Sequence, residues 1–312
     1  KKLSWSNIAY VSIGNGGGIR AFNSSLLRDS LGQVDWDAIN HANQYVTLGG
    51  TEYPTTDLAY DSVMFKSSQV LTSAVNKHMW IGGISQIDYS LNDDLKISAG
   101  VDYRYYKGEH YRELVDLLGG DYWINDANSN ADSPMKVEGD KIGWQTYHNH
   151  RDGLVQWAGG FGQIEYSKGR WTAFGNVSAV FNGYKGVDYF MNKELQIGDS
   201  TYYIGANDTL NLNGQQYVSD SKELVYNNTG WKWLAGSTYK AGLNFNLDES
   251  TNVFMNIGYL NRTPQYSNVV DNNTNEFFVE ILNEKIYALE LGQGFRSKKV
   301  SFNINTYLTY WE

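Results

Sequence analysis

Short polar turns and very long polar segments take turns along this chain, and between them run stretches of strict apolar–polar alternation. The short connections are Asn92 to Asp94, Ser167 to Arg170, Asp248 to Ser250 and Ser297 to Lys299. The long ones span roughly 15–78, 107–154, 184–236 and 262–284. A compact soluble domain rarely carries structureless connections beyond about 12–15 residues. An outer-membrane β-barrel does so by design, with tight turns at one rim and long loops at the other.

The alternation itself has a period of two, the strand period. From Leu95 to Tyr105 the odd positions read Leu, Ile, Ala, Val, Tyr, Tyr, and the even ones hold Lys96, Asp102 and Arg104. Trp171 to Phe181, Tyr239 to Leu247, Val253 to Tyr259 and Val300 to Tyr310 behave alike. The apolar faces of these five stretches hold 27 residues without one Asp, Glu, Lys or Arg. In a chain with 19% charged residues, random placement would put roughly five charges there. Four weaker stretches, Leu3 to Gly14, Met79 to Leu91, Val155 to Tyr166 and Lys285 to Phe295, bring the expectation to about nine strands. Most are about 9–12 residues long, as a tilted strand crossing a bilayer needs. Two short helices are expected in the long segments, at Asp35–Tyr45 and at Tyr111–Leu118, where Leu114, Leu117 and Leu118 share a side. Gly14-Asn15-Gly16-Gly17-Gly18 reads as the flexible start of a loop; it lacks the Gly-Lys-Ser/Thr ending of a phosphate cradle.

Composition narrows the class. The chain has 312 residues, no cysteine and a net charge of −9. Disulfide scaffolds, thiol nucleophiles and Cys-ligated metals are excluded, and no basic stripe suits nucleic acid. Mean hydropathy is −0.48, and no run of 18 apolar residues exists, so no helix is expected to span a membrane. A barrel strand escapes that test because it alternates. In hydrocarbon every backbone N–H and C=O needs an internal partner, so a spanning sheet must close. The outward face must be apolar, with aromatic residues at headgroup depth. Trp171…Phe181 and Tyr103 with Tyr105 fit that description. The expected fold is therefore all-β, an antiparallel up-and-down transmembrane β-barrel in the bacterial outer membrane, against membrane lipid. Residues 1–312 are read as part of one barrel domain.

Three stretches carry a resemblance. Gly258-Tyr259-Leu260-Asn261-Arg262-Thr263-Pro264 is one. Asn283-Glu284-Lys285 with Glu290-Leu291-Gly292 is the second. Tyr105-Tyr106-Lys107-Gly108-Glu109-His110-Tyr111-Arg112-Glu113 with Leu117-Leu118-Gly119-Gly120 is the third. In order and spacing they resemble the barrel of a TonB-dependent outer-membrane receptor of the Bacteroidetes type. The resemblance implies a barrel of about 22 strands, of which this chain supplies an interior arc. It also implies an N-terminal plug and a TonB box, neither of which is legible here, TonB and its inner-membrane motor as partners, and a surface lipoprotein over the loops. The function so implied is import of a scarce nutrient (small molecule, glycan or peptide) by proton-motive-force-coupled plug movement. A passive porin or structural barrel and a soluble carbohydrate-binding β-domain are the rival readings.

Candidate ligand-binding residues lie in the long segments. Trp123, Trp144, Tyr147, Trp231 and Trp233 offer aromatic platforms beside Asn, Asp and Arg; girdle or loop packing is the other reading. His148 and His150 sit near Arg151, with His110 and Glu109 in the same loop. A guanidinium such as Arg112 or Arg151 grips carboxylates well. No metal-enzyme spacing accompanies the histidines, and Asp199, Asn207 and Asp208 lack calcium-loop spacing. No metal, no cofactor and no catalytic constellation is expected.

Overall fold

The computed structural model describes residues 2–22, 26–143 and 150–312. Nine long strands run in chain order: β1 (Leu3–Ala21), β2 (Leu71–Ser90), β3 (Leu95–Asp116), β4 (Arg151–Lys168), β5 (Trp171–Asp188), β6 (Lys232–Asn246), β7 (Thr251–Arg262), β8 (Glu284–Arg296) and β9 (Ser301–Trp311). Each pairs antiparallel with its sequence neighbour, so the sheet is a simple up-and-down meander. All nine expected strands are present. The four tight turns close where expected; at one, Asp248 Oδ1 accepts from the amides of Ser250 at 2.7 Å and Thr251 at 2.9 Å.

The first five strands are longer than their alternation shows, at 19, 20, 22, 18 and 18 residues. Beyond the apolar zone both faces turn polar. The period-two signal then vanishes although backbone pairing continues. Two expectations are corrected for this reason. Gly14 to Gly18 is not a loop but part of β1, paired in register with His78 to Ala74. Glycine suits that run: a Cβ at Gly17 would lie 2.6 Å from Ser73 Oγ. Tyr111–Leu118 is not a helix but the end of β3, with Tyr111 opposite Val75. Leu114 and Leu117 still share a side because the chain turns after Asp116, with Leu118 in the left-handed region at φ 50°. The other helix is present as α1 (Trp36–Gln44); Asp35 caps it by accepting from Ala38 N at 2.9 Å.

The sheet inverts the usual burial rule. Val101, Val177 and Ile257 are 61%, 53% and 50% exposed. Their neighbours Asp102, Asn176 and Asn256 face the other side, where Asp102 binds Arg104 at 2.6 Å and Asn256 donates to Glu290 at 2.9 Å. We call the apolar side outer and the polar side inner. The three buried apolar clusters among the described residues gather in the long loops and the strand ends beside them. One joins Phe22, Val70, Leu114, Leu117 and Ile142; another joins Val155 and Tyr184 to Val269 and Val270; the third is Leu195, Ile204 and Tyr217. None covers the middle of the outer face. Two aromatic rows bound that bare zone. Tyr239, Tyr259, Tyr287 and Tyr310 follow one another across β6 to β9 with centroids 6.2, 5.0 and 6.1 Å apart. Trp171 with Phe245 and Phe295 with Phe302 lie near the turns, at 4.4 and 5.3 Å.

On the inner face four rings each lie over a glycine directly opposite on the next strand: Tyr10 over Gly82, Phe161 over Gly100, Phe174 over Gly242 and Phe254 over Gly292. A Cβ at any of these glycines would run into the ring. Gly242→Ala should therefore cost about 1–3 kcal/mol in urea unfolding from micelles. Gly258→Ala, whose new Cβ would have 3.8 Å of clearance, should cost much less. Equal losses would count against the ring-over-glycine packing.

Candidate functional site

The loop between β7 and β8, residues 263–283, folds inward and lies on the inner face of β4 and β5. Alternation explains what receives it. Asn182 and Tyr184 are inner-face positions of β5, and so is the small Gly186. Asn182 donates to Thr263 Oγ1. Tyr184 Oη donates to Pro264 O at 2.7 Å. Tyr266 packs over Gly153 of β4, where a Cβ would meet its ring at 3.2 Å. Burial pushes the Tyr266 hydroxyl up to about 12, against the opposing pull of Arg151.

Between this loop and the inner ends of β2, β3 and β4 lies a cavity of about 790 Å³. Strand register builds its wall. Asn76 of β2 stands opposite His110 of β3, which stands opposite Arg151 of β4. One step further along, Ala74 stands opposite Arg112. The loop supplies Ser267, Val270 and Asp271 to Asn273 from the other side. His110 Nδ1 lies 2.6 Å from Asn76 Oδ1, so it is the protonated nitrogen of that ring. Burial, then the nearby guanidinium of Arg151, lowers the His110 pKa. Arg112 is buried, donates from Nη1 to Thr72 Oγ1 at 3.1 Å and lies over the Phe22 ring at 5.4 Å. Arg151 makes no side-chain hydrogen bond or ion pair with any described residue.

Below this row the inner wall is aromatic. His78 Nδ1 contacts Tyr106 Oη at 2.6 Å, Tyr106 leans on Trp80 at 4.6 Å, and Trp80 stacks on Trp157 at 5.3 Å. A second cavity of about 500 Å³ opens there, between Trp80, Trp157 and Pro264.

The sequence candidates divide. Arg151 lines the larger cavity. Trp123 does not face it; it packs edge-on against Phe22 at 4.8 Å, beside the first apolar cluster. Trp231 and Trp233 stack on each other at 6.0 Å on the outer side of β6, and Trp233 lies against Gly183. That is the packing alternative to a ligand platform. Trp144, Tyr147 and His148 lie outside the described residues.

His150 stands on the outer side, stacked on Tyr189 at 4.2 Å. Its Nε2 lies 2.8 Å from Lys141 Nζ and 3.2 Å from Glu109 Oε1. Only a neutral imidazole can accept from Lys141. Burial and the Lys141 charge depress its pKa. Burial opposes the Glu109 charge, but the hydrogen bond and the charge of Lys141 outweigh it and hold that carboxyl below its usual range. Both shifts have one sign for stability. For each group the unfolded chain binds protons more readily, so its contribution is complete above the unfolded pKa and lost as pH falls. Acidification below about pH 6.5 should speed hydrogen exchange at the Arg151–Val155 amides beyond the intrinsic change. His150→Gln should flatten that response above the range where Glu109 titrates. An unchanged response would remove His150 as its origin.

The residues that sequence reading missed are Asn76, His78, Trp80, Tyr106, Trp157 and the Asp271–Asn273 rim. Asn76 and His78 fell inside a segment read as loop. Extending β2 backward at period two would have placed both on the polar face.

No protein-family model matches the chain, and no curated protein matches it. Among solved structures, the copper transporter OprC aligns at 14% identity with a TM-score of 0.48, covering 77% of this chain and 31% of its own. A Pseudomonas aeruginosa FadL homologue aligns at 12% identity with a TM-score of 0.26, covering 98% of this chain and 82% of its own. The chain thus spans under a third of the copper transporter's length. Nothing in these likenesses supports the Bacteroidetes type that the three motifs suggested.

Proposed function

We propose that this chain forms an arc of the wall of an outer-membrane β-barrel that takes up a solute, with the cavity behind the inward loop as its capture site. The observation that carries the reading is the bare apolar outer face between two aromatic rows. Water would not tolerate so large an apolar patch on a stable monomer, whereas lipid requires one. The apolar zone ends where a barrel strand should leave the hydrocarbon. On the outer face of β3, Val101, Tyr103 and Tyr105 give way to Lys107 and Glu109, which pair with Asp152 and Lys141 at 2.7 and 3.1 Å. Among the described residues β1 and β9 each pair on one side only. In lipid such edges need partners.

Active, TonB-dependent import is the finer form of the proposal. Two of the motifs behind the resemblance frame the inward loop. Thr263 and Pro264 begin it, just after Arg262, whose Nη1 lies 3.6 Å from Glu284 Oε2. Asn283 ends it, donating to Ala235 O at 2.7 Å. No catalytic step is proposed. The solute is taken as a free small molecule, glycan or peptide fragment, with a surface lipoprotein over the loops as a further partner.

Fractionation tests the location. The chain, expressed with its natural flanking sequence, should sediment with the outer membrane, resist alkaline extraction and need detergent to remain dispersed. A monomer stable without detergent would favour the soluble carbohydrate-binding reading. A proton uncoupler separates the two transport readings: it should stop uptake through a TonB-driven receptor and leave a passive porin unaffected.

A further inference from the structure

We propose that the cavity at the inner ends of β2, β3 and β4 binds a small dissolved anion bearing carboxylate or phosphate groups, with Arg151 and Arg112 as its cationic clamp. The proposal rests on the transport reading for its biological role, but its chemistry stands on the cavity alone.

Charge is the first argument. The chain carries −9 overall, yet this cavity is lined by two guanidinium groups and one carboxylate, Asp271. The local sign is opposite to that of the whole. The second argument is partnering. Arg151 reaches no carboxylate or carbonyl among the described residues, and taking a guanidinium partly out of water without a partner is costly. A bidentate oxyanion would supply the missing acceptors. The third is register. Asn76, His110 and Arg151 occupy one cross-strand row, so their side chains converge from three rigid strands rather than from a mobile loop. Asn272 and Asn273 face them from the inward loop, offering amide donors that add no charge.

The source of the anion follows from the face. The row lies on the inner side, away from the apolar zone, so a lipid headgroup embedded in the outer leaflet would have to leave the bilayer to reach it. A free solute entering past the long loops would not.

His110 gives the site a second signature. Its Nδ1 is engaged by Asn76, and its Nε2 has no hydrogen-bond partner among the described residues. Its ring is flanked by His78, at a centroid distance of 5.5 Å. Arg151 stands opposite across β4, Asp152 exerts a weak opposing pull from the same strand, and Asp271 lines the cavity from the inward loop. An anion seated against Arg151 would cancel part of the field that keeps His110 neutral. Binding should then take up a proton as pH falls through the ordinary histidine range.

The test is calorimetric titration of the detergent-purified barrel, expressed as for the fractionation, with citrate and with inorganic phosphate, beside maltose as an uncharged solute. Saturable binding of at least one anion and none of maltose is expected. Arg151→Gln should weaken it by about tenfold or more, with Arg151→Lys recovering part of the loss. Affinity should rise between about pH 7.5 and about pH 5.5, and His110→Gln should remove that rise. Maltose binding as tight as the anions, or no saturable anion binding by a heat-modifiable, folded chain, would overturn the proposal. So would an Arg151→Gln chain that is folded and binds normally. Vesicles containing lipopolysaccharide serve as a third arm; if they bind and neither dissolved anion does, the free-solute assignment falls. Failure of outer-membrane fractionation would instead sink the transport reading and leave these titrations standing.

Discussion

Val177→Arg should abolish assembly into the outer membrane, while Asn176→Arg, one residue earlier, should leave most of it intact. Val177 stands on the outer face of β5, opposite Gly162 on one side and Tyr239 on the other. Neither neighbour carries a charge, so no carboxylate stands directly opposite to pair with a guanidinium there. In hydrocarbon that charge costs about 2–4 kcal/mol near the bilayer midplane, a large share of the stability of a typical domain. Asn176 points inward, toward Gln163, and an arginine there meets a polar wall. Ile257→Arg and Asn256→Arg on β7 should repeat the contrast. The measurement is heat-modifiable migration of the outer-membrane fraction. If inner-face and outer-face variants fail equally, lipid does not face Val177.

The second large effect is expected at Asn43, in the last turn of α1. It is fully buried. Its Nδ2 lies 2.8 Å from Gln69 O and 3.0 Å from both Leu117 O and Leu118 O. Its Oδ1 accepts from Ser68 N, Ser68 Oγ and Gln69 N at 2.8, 3.0 and 3.0 Å. One side chain thus fastens the long loop between β1 and β2 to the turn that ends β3. Asn43→Ala strands several backbone groups at once. At about 1–3 kcal/mol for each one left unsatisfied, the loss should exceed that of any single contact on the loop. Asn43→Asp should fail to rescue it, because its second oxygen would confront three carbonyls. Limited proteolysis within residues 26–70 should accelerate sharply in both variants, with the sheet unchanged. Unaltered cleavage would show that the loop is held elsewhere.

The sheet and the cavity were not equally legible before folding. Val177, Ile257 and Leu308 declare their face from the sequence because lipid contact is a repeated local demand: every second residue must be apolar. The tight turns declare themselves by polar residues such as Asp248. Where both faces turn polar, at Gly14 to Ala21 and Tyr111 to Asp116, the demand lapses. Leu114, with Leu117 and Leu118 just beyond, imitated a helix. The cavity was hidden for a related reason. Arg151 was visible as a candidate, but Asn76 and His110 became its neighbours only through pairing with β2 and β3.

By itself, then, the sequence determined the nine strands, their order and which side of each is apolar, because a two-residue period is written locally and strongly. Tertiary structure alone decided that residues 263–283 fold inward and that Asn76, His110 and Arg151 form one row. Those arrangements depend on register between strands far apart in the chain and on contacts such as Tyr184 with Pro264, which no local pattern encodes.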